Sequence, residues 1–61
     1  MYTVIISTYS GTEVVKGESP AALRGKAESI NDEWPGSVYW YTILDTATGE
    51  QVETYLINEG A

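Results

Sequence analysis

The chain contains no cysteine and no histidine. Without cysteine there is no disulfide framework, thiol nucleophile or iron–sulfur ligand, and without histidine the usual zinc and copper ligand is gone as well. Basic residues are nearly as scarce. Lys16, Arg24 and Lys26 stand against nine Asp and Glu, leaving a formal charge of −6. That balance repels phosphate backbones and anionic lipid, so it argues against direct nucleic-acid or membrane-surface binding and favours a partner protein with a basic surface. The start of the chain has no basic lead-in, and no long apolar run occurs anywhere. The expectation is therefore neither a signal peptide nor a membrane span, with a cytoplasmic location.

Catalytic motifs are missing too. The glycines are dispersed, and none forms a phosphate-cradling loop followed by Lys and Ser or Thr. The remaining candidates, carboxylates, Ser, Tyr and Lys, fall in no recognisable catalytic spacing, so the chain reads as a non-enzyme with no cofactor. Asp45 to Glu50 superficially resembles a calcium loop. Ala47 and Gly49 occupy positions where liganding side chains are required, and a hairpin turn is the better reading.

What the chain does have is apolar residues at 43%, including two Trp and five Tyr, which is too rich for disorder. At 61 residues it is one domain near the lower size for a self-sufficient core, so nearly every apolar residue must be used and a subunit contact is possible.

The alternation of Tyr2, Val4 and Ile6 with Thr3, Ile5 and Ser7 predicts a first strand, and Thr12 to Lys16 a second. With Ser10 and Gly11 as loop residues, Tyr9 falls opposite Thr12, Ser7 opposite Val14, and Ile6 opposite Val15. Val4, Ile6 and Val15 then share the core face. Ser19 followed by Pro20 predicts a helix start, and Leu23, Ala27 and Ile30 form its apolar stripe. Gly25 inside it reads as a point of close approach to the sheet. Pro35 and Gly36 end the helix between Asn31 and Glu33, leaving open whether Trp34 packs beneath it or stands exposed.

Ser37 to Asp45 is apolar on both faces and predicts a central or interface strand. Thr46 to Gly49 forms a hairpin loop, with Gly49 left-handed and Asp45 bonded to the turn backbone. A fourth strand follows over Gln51 to Ile57. Continuous pairing sets Ile43 near Val52, Tyr41 near Thr54 and Tyr39 near Leu56 on the helix side, which leaves Val38, Trp40, Leu44, Tyr55 and Ile57 opposite. The predicted fold is α+β: a small, four-stranded, mainly antiparallel sheet (ββαββ) with one helix on one face, spanning residues 1–57, and a frayed tail over 58–61.

A single helix covers one side of such a sheet, so Ile5, Trp40, Tyr55 and Val38 are expected to face water unless something binds them. Cross-strand aromatic pairing that stiffens an open face is the alternative explanation. At the other end, Glu28, Asp32 and Glu33 crowd the negative end of the helix dipole beside Trp34. They form either a docking knob for a basic groove or a solvated charge run. The leading reading is a small acidic protein-binding module, a modulator or inhibitor of a larger partner with a basic surface. Its partner-binding residues would be Ile5, Trp40, Tyr55, Glu28, Asp32, Glu33 and Trp34. The profile is that of small modulators and inhibitors, including those encoded by phages, which is analogy at the level of size and fold. The alternatives are an obligate homodimer packing sheet face to sheet face, and a nucleic-acid mimic occupying the DNA or RNA site of a partner.

Overall fold

The computed structural model describes residues 1–57, so the tail expected over 58–61 lies outside the described residues. The elements run β1 (Tyr2–Thr8), β2 (Gly11–Gly17), α1 (Pro20–Glu33), β3 (Val38–Asp45) and β4 (Gln51–Leu56). They form one four-stranded sheet of order β2-β1-β3-β4, with every neighbouring pair antiparallel. The fold is ββαββ as predicted. The two interior strands, β1 and β3, are the ones richest in β-branched and aromatic residues.

Local signals set the connections. Ser19 caps α1 by accepting from the Ala22 N–H at 3.2 Å, with Pro20 at the first helical position. Asp45 accepts from the Ala47 N–H at 2.9 Å, and Gly49 takes φ 74°, which gives the predicted turn between β3 and β4. The first hairpin differs from expectation. Tyr9 and Ser10 are its loop residues, so Thr8 faces Gly11, Val4 faces Val15 and Ile5 faces Val14. This register lies two residues from the predicted one. A two-residue slip preserves the facing of side chains, which is why Val4, Ile6 and Val15 still share the core side. Thr8 holds this loop, donating from Oγ1 to the Gly11 carbonyl at 2.8 Å.

The core consists of Val4, Ile6, Leu23, Ala27, Val38, Tyr41 and Ile43, with Tyr2, Val15, Ile30 and Ile57 packed around it. The helix lies across β2, β1 and β3 and makes no comparable contact with β4. The close approach expected at Gly25 is found instead at Gly17. A Cβ on Gly17 would sit 2.9 Å from Leu23 Cδ2, whereas one on Gly25 would meet nothing within 4 Å.

Two bulges reset the faces. Ser7 faces Trp40 but Thr8 faces Val38, so Tyr39 is an extra residue in β3 and Val38 turns into the core. In β4 the turn starts the hairpin in the predicted register, with Leu44 opposite Gln51. Val52 is then an extra residue, and Ile43 faces Glu53, Tyr41 faces Tyr55 and Trp40 faces Leu56. One added residue inverts everything beyond it. Tyr55 therefore lies on the helix side, not on the open face, and Leu56 takes its place beside Trp40. Ile57 likewise packs on the core rather than opposite it.

Candidate partner-binding site

The open face of the sheet can be read row by row from the pairings. One row runs Thr12, Ser7, Trp40 and Leu56, the next Val14, Ile5, Thr42 and Thr54, and a third Lys16, Thr3, Leu44 and Gln51. Of the residues predicted for an aromatic face, Ile5 and Trp40 are here, and Tyr55 and Val38 are not. No side-chain carboxylate of the described residues belongs to these rows. Glu13, Asp45 and Glu53 pair with the core-facing Ile6, Tyr2 and Ile43. Glu28, Asp32 and Glu33 ride on α1, and Glu18 and Glu50 lie in connections.

Tyr55 belongs to a bridge between helix and sheet. Its ring stacks on Tyr41 with centroids 5.1 Å apart, and the Arg24 guanidinium carbon lies 5.7 Å from its centroid. Arg24 reaches beyond the helix to β4, donating from Nη2 to both Glu53 oxygens at 2.8 and 3.0 Å. The Glu53 hydrogen bond and charge raise the Arg24 pKa further above its usual value. Burial raises the Tyr41 pKa above the ordinary phenol range, and the negative charge of Glu28 adds to the effect. Glu28 is thus felt on the β3 side of the helix.

At the opposite end of α1 a different arrangement forms. The Trp34 N–H closes the helix on the Ile30 carbonyl at 3.0 Å. The chain then turns through Pro35 and Gly36, with φ 84° at Gly36 and the Ser37 N–H donating to the Trp34 carbonyl at 2.9 Å. Proline first and a left-handed glycine second are what a type II turn requires. The Tyr9 N–H donates to the Ser37 carbonyl at 3.0 Å and so ties the β1–β2 loop to this turn.

Between the two loops lie adjoining depressions of about 310 and 190 Å³ that share Tyr9, Trp34 and Ser37. Pro35 and Gly36 complete the larger; Thr8, Ser10, Glu13, Ile30 and Glu33 complete the smaller. Trp34 is 60% exposed and Tyr9 67% exposed, so the cleft is walled by two aromatic rings left open to solvent.

The structure therefore divides the predicted acidic knob. Glu33 and Trp34 enter the cleft, Asp32 is exposed one residue earlier, and Glu28 lies toward Tyr41. Among the described residues Arg24–Glu53 is the one ion pair, and Glu13, Glu28, Asp32 and Glu33 have no cationic partner in the chain. Sequence reasoning missed Tyr9, Glu13 and Ser37. Tyr9 and Glu13 approach Trp34 through the two-residue register difference in the first hairpin and the Tyr9–Ser37 bond, neither of which leaves a local signal, whereas Ser37 is set there by the Pro35–Gly36 turn.

Among the described residues no three or more His, Cys, Asp or Glu gather as a metal ion would require, and no described helix is long and apolar enough to cross a membrane. The chain matches no family model, no curated protein and no solved structure.

Proposed function

We propose that this protein is a small acidic binding module that docks the C-terminal end of α1 onto a basic surface of a larger protein and modulates it. The observation that carries this reading is the pairing of exposed Trp34 and Tyr9 with carboxylates from two separate elements, Glu13 and Glu33, that no cation among the described residues pairs with. Exposed aromatic anchors supply contact area at low entropic cost, and unpaired surface charge steers the encounter. The test is capture of a partner from source cells with the native chain, followed by Glu28→Lys/Asp32→Lys/Glu33→Lys and Trp40→Ala as baits. The acidic-end reading expects the reversed bait to lose the partner and the Trp40→Ala bait to retain it. The opposite pattern would move the interface to the sheet face.

A second reading is favoured by one observation, that none of the described carboxylates lies on the open sheet face. Two copies packed through that face would bury Trp40, Ile5, Val14 and Leu56 while holding the acidic helices apart. Solution mass across a concentration range decides it: a dimer lost on Trp40→Ala supports the self-interface, and a monomer at every concentration rejects it.

A further inference from the structure

The smaller depression combines features that select among cations. It has aromatic walls in Trp34 and Tyr9, an aliphatic contact in Ile30, and carboxylates contributed by β2 and α1. Ser37 lines both depressions, is only 7% exposed, and its Oγ is shielded from water with no hydrogen-bond partner. Buried hydroxyls are ordinarily satisfied; this one, closed to water where it stands, meets the cleft by turning about its Cα–Cβ bond. A seryl hydroxyl has three staggered positions, so an incoming N–H can select the one that faces it.

We infer that the Tyr9–Trp34 cleft receives an arginine side chain of the basic partner, stacked on Trp34, with its N–H groups shared between Glu13, Glu33 and the Ser37 hydroxyl. This identification rests on the acidic-end reading above. Guanidinium is planar, weakly hydrated and carries five donors in a fixed fork, so it can stack on an indole and bond carboxylates at its edge together. A lysine ammonium is a compact, strongly hydrated point charge. It satisfies the carboxylates but gains little from two flat walls. A neutral side chain leaves Glu13 and Glu33 unpaired. The larger depression, floored by Pro35 and Gly36, gives room for the flanking peptide chain.

The experiment uses the full chain carrying Trp40→Phe, so that Trp34 is the one tryptophan reporting. It is titrated with a capped Gly-Arg-Gly-Arg-Gly peptide and with counterparts in which lysine or citrulline replaces arginine. Saturable change in Trp34 emission is expected with the arginine peptide, about tenfold weaker binding with lysine, and none with citrulline. Glu13→Gln/Glu33→Gln should weaken the arginine peptide about tenfold, and Trp34→Leu, followed by the amide resonance of Ser37, should erase its advantage over lysine. Both sets replace exposed residues, and circular dichroism confirms that each variant is folded. Equal binding of arginine and lysine peptides, indifferent to Trp34→Leu, would overturn the arginine site and leave the acidic-end reading standing. No saturable response to either peptide would overturn the site as well, and the acidic-end reading would then be judged by the captured partner's response to charge reversal.

Discussion

Tyr55 stacks on Tyr41, ring centroids 5.1 Å apart and planes 29° apart, because Val52 is an unpaired extra residue in β4. The same extra residue sets Glu53 beneath Arg24 and Thr54 against Thr42, whose hydroxyls lie 2.8 Å apart. Deleting Val52 removes the bulge without moving Gln51 away from Leu44 or Glu53 away from Ile43. The shortened chain is expected to keep its fold with Tyr55 still on Tyr41, as seen by ring-to-ring nuclear Overhauser contacts. Loss of those contacts would mean that the bulge itself, rather than the pairing on either side, holds the facing.

Arg24 is the one side chain of α1 that forms an ion pair with β4. Arg24→Met retains an apolar stem over Tyr55 but removes the donor to Glu53. Faster hydrogen exchange is expected in β4 amides and in the β3 amides that donate to β4, with β1 unchanged, because β4 is an edge strand that the helix does not cover. Equal acceleration across all strands would contradict that local role.

Two glycines separate a propensity effect from a packing effect. Gly25 is exposed in α1 with open space at its Cβ position, so Gly25→Ala should stabilise by about 1 kcal/mol through helix propensity. Gly17→Ala would drive a methyl to 2.9 Å from Leu23 Cδ2 in the core, and should destabilise by roughly 1–3 kcal/mol. Urea unfolding of both variants checks the pair, and the same sign for both would refute the contrast.

The raised Tyr41 pKa makes a directional statement about alkaline stability. In the unfolded chain the phenol ionises near pH ~10, while in the folded chain burial and Glu28 hold it protonated to higher pH. The unfolded state thus loses its proton first. Tyr41 contributes stability in full below the unfolded pKa, and that contribution is lost as pH rises through the folded value. Tyrosinate absorbance should show the Tyr41 phenol, identified by its loss in Tyr41→Phe, titrating late, and Glu28→Gln should move it down without returning it to the ordinary range. No late phenol in the native chain would contradict the burial of Tyr41.

Most of the architecture is legible from local chemistry. Ser19-Pro20, the Leu23–Ala27–Ile30 stripe, the Asp45–Gly49 turn and the alternation in β1 each act within a few residues, and each appears in the fold as read. The facing of β4 is not legible, because a bulge is decided by what lies across the sheet: Tyr41, Arg24 and Thr42 all favour the shifted pairing. Gly25 misleads because a helical glycine looks the same in sequence whether it faces the sheet or solvent. At the candidate site, Glu33 and Trp34 could be read as a charge and an aromatic ring at the helix end, but the exposure of Trp34 could not. Tyr9 and Glu13 could not, since they reach Trp34 through the Tyr9–Ser37 hydrogen bond between loops far apart in the chain, and Ser37, set beside Trp34 by the Pro35–Gly36 turn, has neither charge nor ring to single it out.

The most direct measurement is the association rate of the captured partner with the native chain and with Glu28→Lys/Asp32→Lys/Glu33→Lys, from low to high salt. If the acidic end of α1 steers docking, the native rate should fall about tenfold or more with added salt, and the reversed chain should associate slowly at every salt concentration. Equal rates with equal salt dependence for the two chains would contradict docking through that end.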